Sequence, residues 1–196
     1  MTLDDWLAFI ERQHAQPIAL GLDRVRKVSV ALNQRKACPV ILVGGTNGKG
    51  STCAMLERIL LAAGYRVGLY TSPHLLRYNE RVRIDGQPVS DEALCEGFEL
   101  VEAARKVSHG DTPLTYFEFG TLCAWEVFAA RALDAIILEV GLGGRLDATN
   151  IYEPDVAIVT GVDLDHMDYL GATREAIGFE KAGIFRAGKP AICGDP

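Results

Sequence analysis

Cysteine is scarce and unpatterned in this sequence: Cys38, Cys53, Cys95, Cys123 and Cys193 make an odd set of five, with no C-x-x-C spacing among them. That excludes a disulfide framework and a zinc ribbon, and fits the reduced, mostly buried thiols of a cytoplasmic protein. Positive charge is also in deficit, with 20 Lys and Arg against 26 Asp and Glu and a net charge of -6. No basic stripe is present, so no nucleic-acid partner is expected. No apolar run approaches the roughly 20 residues that span a bilayer, so no membrane partner is expected either. Met1 to Glu11 carries Asp4 and Asp5 and no basic cluster, unlike a signal peptide. Internal repeats and low-complexity tracts are lacking.

What is present is apolar residue: 48% of 196 positions, enough to bury the core of one domain or a large part of a bigger one. Thr2 with Asp5 reads as a capping box before a helix over Leu3 to His14, and a second helical patch covers Leu22 to Leu32. Short apolar runs, each ending near glycine or a polar turn, predict strands at Pro39–Val43, Arg66–Tyr70, Ala135–Leu138, Val156–Val159 and Pro190–Cys193. Helical patterns lie between them at Ser51–Ala63, Ser90–Val107, Thr115–Arg131 and Thr173–Gly183. This alternation predicts an α/β fold, a doubly wound and mostly parallel sheet with helices on both faces. The sequence closes on Cys193-Gly194-Asp195-Pro196 directly after an apolar strand, which reads as a truncation.

Gly44-Gly45-Thr46-Asn47-Gly48-Lys49-Gly50-Ser51 follows the first strand and opens a helix. Glycines there can turn backbone N–H groups toward an anion, the helix terminus adds a favourable field, and Lys49 adds a mobile charge. The strict phosphate-loop pattern fails twice, with Val43 in place of the first Gly and Gly50 in place of the hydroxyl after Lys49. Glu139 ends the third strand, where phosphate-loop proteins place a metal-binding carboxylate, although position alone also fits a solvated strand end. Asp163, Asp165, His166 and Asp168 follow the fourth strand. A parallel sheet puts them at the same carboxyl edge as Lys49, Glu139 and Ser72. Lys181 reads, on composition, as a surface helix lysine.

The run G-T-N-G-K-G-S resembles the phosphate loop of folylpolyglutamate synthases and dihydrofolate synthases. These are relatives of the Mur ligases, which carry G-T-x-G-K-[ST] instead. Six further segments match that family in order: Thr71-Ser72-Pro73-His74-Leu75; Tyr78-Asn79-Glu80-Arg81-Val82; Leu114-Thr115-Tyr116-Phe117-Glu118; Glu139 through Asn150; Asp165-His166; and Glu180-Lys181-Ala182-Gly183-Ile184. The resemblance is nearest to bacterial enzymes that perform both syntheses. It implies a phosphate-loop NTPase-like fold of the Mur ligase central-domain type, with residues 1–196 forming an ATP-binding domain and a C-terminal glutamate-binding domain absent.

The implied activity is ATP-dependent addition of L-glutamate to dihydropteroate or folate through an acyl phosphate. The implied cofactors are ATP and Mg2+, two ions, and the implied state is a monomer acting on small molecules. By the same resemblance Gly45, Thr46, Asn47, Gly48, Lys49, Gly50 and Ser51 bind nucleotide. Ser72, Glu139, His166 and a carbamylated Lys181 hold metal, and Lys49, His166 and Lys181 serve catalysis. Arg81, Thr115, Phe117, Asp147 and Ala148 contact the pterin or folate, with His74 a further candidate. A His ligand is unusual for so hard an ion, and residue chemistry alone also fits manganese or zinc. Two other readings stay open: a Mur-type ligase on a UDP-linked peptide, and a phosphate-loop nucleotide-binding module without ligase activity.

Overall fold

The computed structural model describes residues 1–108 and 112–195; Pro196, the last residue of the closing run, lies outside them. In chain order the strands are β1 (Val40–Gly44), β2 (Val67–Tyr70), β3 (Val82–Ile84), β4 (Gln87–Pro88), β5 (Ala135–Glu139), β6 (Val156–Val159) and β7 (Ala191–Cys193). The helices are α1 (Leu3–Glu11), α2 (Asp23–Ala31), α3 (Lys49–Ala62), α4 (Asp91–Val107), α5 (Tyr116–Ala129), α6 (Met167–Leu170) and α7 (Arg174–Ala182).

Among the described residues the strands form one seven-stranded sheet in the order β4-β3-β2-β5-β1-β6-β7. The five strands expected from the apolar runs pair in parallel. Side chains of a strand alternate between faces. On one face Val43, Val67, Leu69 and Ile137 pack under α3 with Cys53. On the other, Val40, Leu42, Tyr70, Ile136 and Leu138 join the larger core with residues of α1, α2, α4 and α5. Both faces of the central strands are covered, which is why their sequences read as unbroken apolar runs instead of alternating patterns.

The hairpin of β3 and β4 departs from the sequence reading, which placed no strand there. Both strands are antiparallel to their neighbours. They are joined by Asp85 and Gly86, both at positive φ (52° and 80°), the geometry of a tight two-residue hairpin turn. Strands of three and two residues are too short to show a period.

Helix starts mostly follow local capping chemistry. The Thr2–Asp5 box caps α1, and a Thr115–Glu118 box caps α5. Ser90 and Thr173 accept from the third N–H of α4 and α7. Each such cap is worth about 1 kcal/mol. The helix α3 is different. It starts at Lys49, two residues before the expected Ser51, from a left-handed Gly48 with no side-chain cap. Its first N–H groups therefore remain open to an outside acceptor.

Candidate active site at the carboxyl edge of the sheet

Because β1, β2, β5 and β6 run in parallel, the segments leaving them emerge at one edge. In the sheet order β5 lies between β2 and β1. This puts the terminal Glu139 between the loop after β1 and the Ser72 segment after β2.

The loop after β1 is fastened to the one after β6. Thr46 N donates to Gly161 O at 2.8 Å, and Thr46 Oγ1 both donates to Asp163 O (3.1 Å) and accepts from Asp163 N (3.0 Å). Thr160 Oγ1 donates to Asn47 O at 2.6 Å. Gly45 cannot be replaced here: its φ is 142°, and a Cβ would lie 1.9 Å from Thr160 Oγ1. Lys49 Nζ curls back to donate to Gly45 O (3.0 Å) and Thr46 O (3.2 Å). Asn47, Gly48, Gly50 and Ser51 are exposed. Gly50 faces Glu139, since a Cβ there would stand 3.6 Å from Oε1. The missing hydroxyl after Lys49 thus coincides with an adjacent carboxylate.

Glu139 is buried, and burial pushes its carboxyl pKa up, against the lowering effect of the Ser72 N–H and of Lys49. Ser72 N donates to its Oε2 at 2.9 Å. Oε1 takes no protein donor among the described residues. Such a carboxylate favours a nearby cation. His166 sits at left-handed φ 46° before α6, with Nε2 3.6 Å from Asp165 Oδ2. Lys181, read from composition as a surface residue, is only 3% exposed. Burial, with repulsion from Lys49, lowers its pKa to about 8. Among the described residues no three His, Cys, Asp or Glu side chains converge on one point. A hard divalent ion bound together with phosphates needs only one or two protein carboxylates, so Glu139, whose Oε2 is held by the Ser72 N–H, fits as the one protein carboxylate of an ion completed by substrate oxygens.

Beside this edge lies a cavity of about 390 Å³. Of the expected residues, Lys49, Ser72, Arg81, Thr115, Phe117, Asp147, Ala148 and His166 line it; Glu139, Lys181 and the remaining loop residues do not. Asp147 is buried, and burial raises its pKa against the donors that it accepts from: Leu142 N (2.9 Å), Thr149 N (3.0 Å) and Thr149 Oγ1 (2.6 Å). Phe117 packs so tightly on Gly141 that a Cβ there would come within 2.7 Å of its ring. Arg81 stacks over Tyr78 and Tyr116 at 5.4 and 5.5 Å, and its Nε donates to His74 Nδ1 at 2.8 Å. His74 itself does not line the cavity; it holds Arg81.

Sequence reasoning missed one wall. Pro17-Ile18-Ala19-Leu20-Gly21, between α1 and α2, lines the cavity together with Leu142 and Leu146. The available signal was an apolar run bounded by Pro and Gly, lying outside any helical or strand pattern. The result is a slot with apolar walls and a buried carboxylate, open to the phosphate-loop side.

Residues 97–193 match the Mur ligase middle domain. The chain is 56% identical over 195 residues to the dihydrofolate synthase/folylpolyglutamate synthase of Escherichia coli (strain K12), an alignment covering 99% of this chain and 45% of that protein. It is 55% identical to the Haemophilus influenzae protein of the same name, over 99% of this chain and 44% of the relative. Among solved structures it resembles E. coli FolC in complex with DHPP and ADP (TM-score 0.96, 56% identity, 100% of this chain and 47% of that one). It also resembles a bifunctional folylpolyglutamate synthase/dihydrofolate synthase with Mn, AMPPNP and L-glutamate bound (TM-score 0.92, 56% identity, 100% and 47%). The chain therefore spans less than half the length of these relatives.

Proposed function

Because this chain belongs to the folylpolyglutamate synthase/dihydrofolate synthase family of Mur ligases, we propose that its protein joins L-glutamate to dihydropteroate, to a folate, or to both, using ATP. The observation that carries the reading is the juxtaposition at one sheet edge of an uncapped α3 with Lys49, the buried Glu139, and an apolar slot that ends in Asp147. Residues 1–196 would form the ATP-binding domain, with much of the glutamate site in a C-terminal domain. The protein would act as a cytoplasmic monomer. No helix among the described residues is long and apolar enough to cross a membrane.

In this reading a substrate carboxylate oxygen attacks the γ-phosphorus of ATP, the bond to the β-phosphate oxygen breaks, and an acyl phosphate and ADP result. The amine of glutamate then attacks the carbonyl carbon, phosphate leaves with the C–O bonding pair, and the amine gives up a proton. No protein nucleophile is needed; the chain's work is positioning and charge stabilisation. Residues Gly45 to Ser51 surround the phosphates, with backbone N–H groups other than that of Thr46, which is bonded to Gly161 O, and Lys49 swings from its own loop carbonyls onto them. Thr115, Phe117, Asp147 and Ala148 orient the pterin end, and Arg81 holds a substrate carboxylate.

Ser72, Glu139 and His166 would hold one magnesium ion and carbamylated Lys181 a second, and bound magnesium supplies neutralisation of the phosphate charge. Lys181 is suited to carbamylation: at a pKa of about 8 a sizeable fraction is neutral amine, the form that attacks carbon dioxide and then loses a proton. The test is ADP release from the full-length protein with dihydropteroate and with tetrahydrofolate as separate substrates, each with and without glutamate. ATP hydrolysis indifferent to both pterins and to glutamate would refute the reading.

A further inference from the structure

We infer that Arg24 is a positioning residue for the heteroaromatic end of the substrate: it clamps the segment 17–21 onto the start of α5 and so fixes the spacing of the slot. The inference rests on the reading of the slot given above. Residues 17–21 belong to no helix or strand, yet Ile18, Ala19 and Leu20 form a stretch of the cavity wall. Two hydrogen bonds hold that stretch to the rest of the fold among the described residues. One is long, Gly21 N to Leu146 O at 3.3 Å. The other is short, Arg24 Nη2 to Ala19 O at 2.6 Å.

The same guanidinium grips Glu118, with Nη2 at 3.0 Å from Oε1 and Nε at 3.4 Å from Oε2. Glu118 is buried and cannot drift, because its carboxylate also accepts Thr115 N at 2.8 Å in the capping box of α5. Thr115, Phe117 and Glu118 form another stretch of the same wall. One planar group therefore joins two parts of the slot. A lysine could satisfy only part of that fork, since its ammonium is a point donor. The phosphate loop does not depend on the clamp; it is fastened through Thr160 and Asp163.

An ion pair that merely stabilised the fold would, when removed, weaken the protein without choosing between substrates. The clamp predicts a choice. In the full-length protein Arg24→Met should raise KM for dihydropteroate or tetrahydrofolate by about tenfold or more, and leave KM for ATP within about twofold and kcat within about threefold. Arg24→Lys should fall between wild type and Arg24→Met. Hydrogen exchange should quicken at residues 17–21 and not at the phosphate loop. An unchanged pterin KM in a folded Arg24→Met protein, or an equal rise in both KM values, overturns the inference. If Arg24→Met does not fold, Arg24→Lys and Glu118→Gln (which keeps the capping box) decide on the same criterion. If the wild-type protein uses neither pterin, the proposed function has failed, and exchange at 17–21 alone decides the clamp: unchanged protection in Arg24→Lys overturns it.

Discussion

Lys49 and Lys181 carry positive charge toward one place, and the structure treats them differently. Lys49 neutralises its own loop by donating to Gly45 O and Thr46 O. Charge-assisted hydrogen bonds are worth roughly 1.5–3 kcal/mol each. Lys49→Ala should therefore lower affinity for an ATP analogue by about a hundredfold and leave circular dichroism unchanged; equal affinity by calorimetry would remove Lys49 from the nucleotide site. Lys181 is buried with no carboxylate in ion-pair range among the described residues, and its pKa is about 8 against 10.5. The sign follows directly. Between about 8 and 10.5 the unfolded chain holds a proton that the fold does not, so stability rises with pH across that window. Below 8 the full penalty applies, on the order of 2–3 kcal/mol. In carbon-dioxide-free buffer near neutral pH, Lys181→Met should melt higher than wild type, and in bicarbonate-containing buffer the full-length Lys181→Met protein should lose ligase turnover. Lower melting, or retained turnover, would contradict the burial cost or the catalytic role respectively. The role proposed for Lys49 can be read from sequence because strand, glycines, lysine and helix are contiguous. That of Arg24 cannot, because its partner Glu118 lies 94 residues away.

At the level of elements, the starts of three strands converge on one carboxylate. Asp155, just before β6, accepts from Val40 N at the start of β1 (2.9 Å), pairs with Lys36, and reaches Lys189 before β7 (3.2 Å). Its pKa is lowered to about 2, chiefly by the Lys36 contact. A depressed carboxylate stabilises the fold above its unfolded pKa near 3.8, and that contribution is lost as pH falls through about 2. Asp155→Asn should then cost about 1–2 kcal/mol at pH 7, and the difference from wild type should shrink below about pH 4 and vanish only below pH 2. A pH-independent difference in denaturant midpoints would show that the charge plays no part. Such a knot could not be read from the sequence, whereas the strands it ties could: β1, β5 and β6 are buried on both faces and so are written as plain apolar runs. The β3–β4 hairpin was missed for the opposite reason. It lies at the sheet edge, β4 has two residues, one of them Pro88, and only Asp85-Gly86 marked the turn. The Thr2–Asp5 capping box was legible because its partners lie three residues apart, and Thr115 was legible as a helix start, although its box with Glu118 was not read. The wall at 17–21 follows no period and emerged only from the packing of α1, α2 and α5.

Among the described residues the sheet has two unlike edges. At one, β4 is short and carries Pro88, which cannot donate to another strand, so that edge is blunted. At the other, Ala191, Ile192 and Cys193 of β7 are exposed, Ile192 by 52%. A bare apolar edge of this kind pairs readily with another chain. The slot has a wall from α5, the 17–21 segment and the 141–148 loop, and ligand sites lie preferentially between domains, whose closure excludes water and aligns reactants. The curated relatives are more than twice as long as this chain, which covers 45% of the E. coli one. Two outcomes are expected for a polypeptide of these 196 residues alone. It should bind nucleotide weakly and form no folate–glutamate bond. It should also associate with rising concentration, and Ile192→Lys should shift sedimentation toward the monomer by placing a charge on the exposed edge strand. Dihydrofolate synthesis by the 196-residue polypeptide would show that these residues contain the whole catalytic site. Association unaffected by Ile192→Lys would move the sticky surface elsewhere, for example to the exposed Leu75 and Leu76.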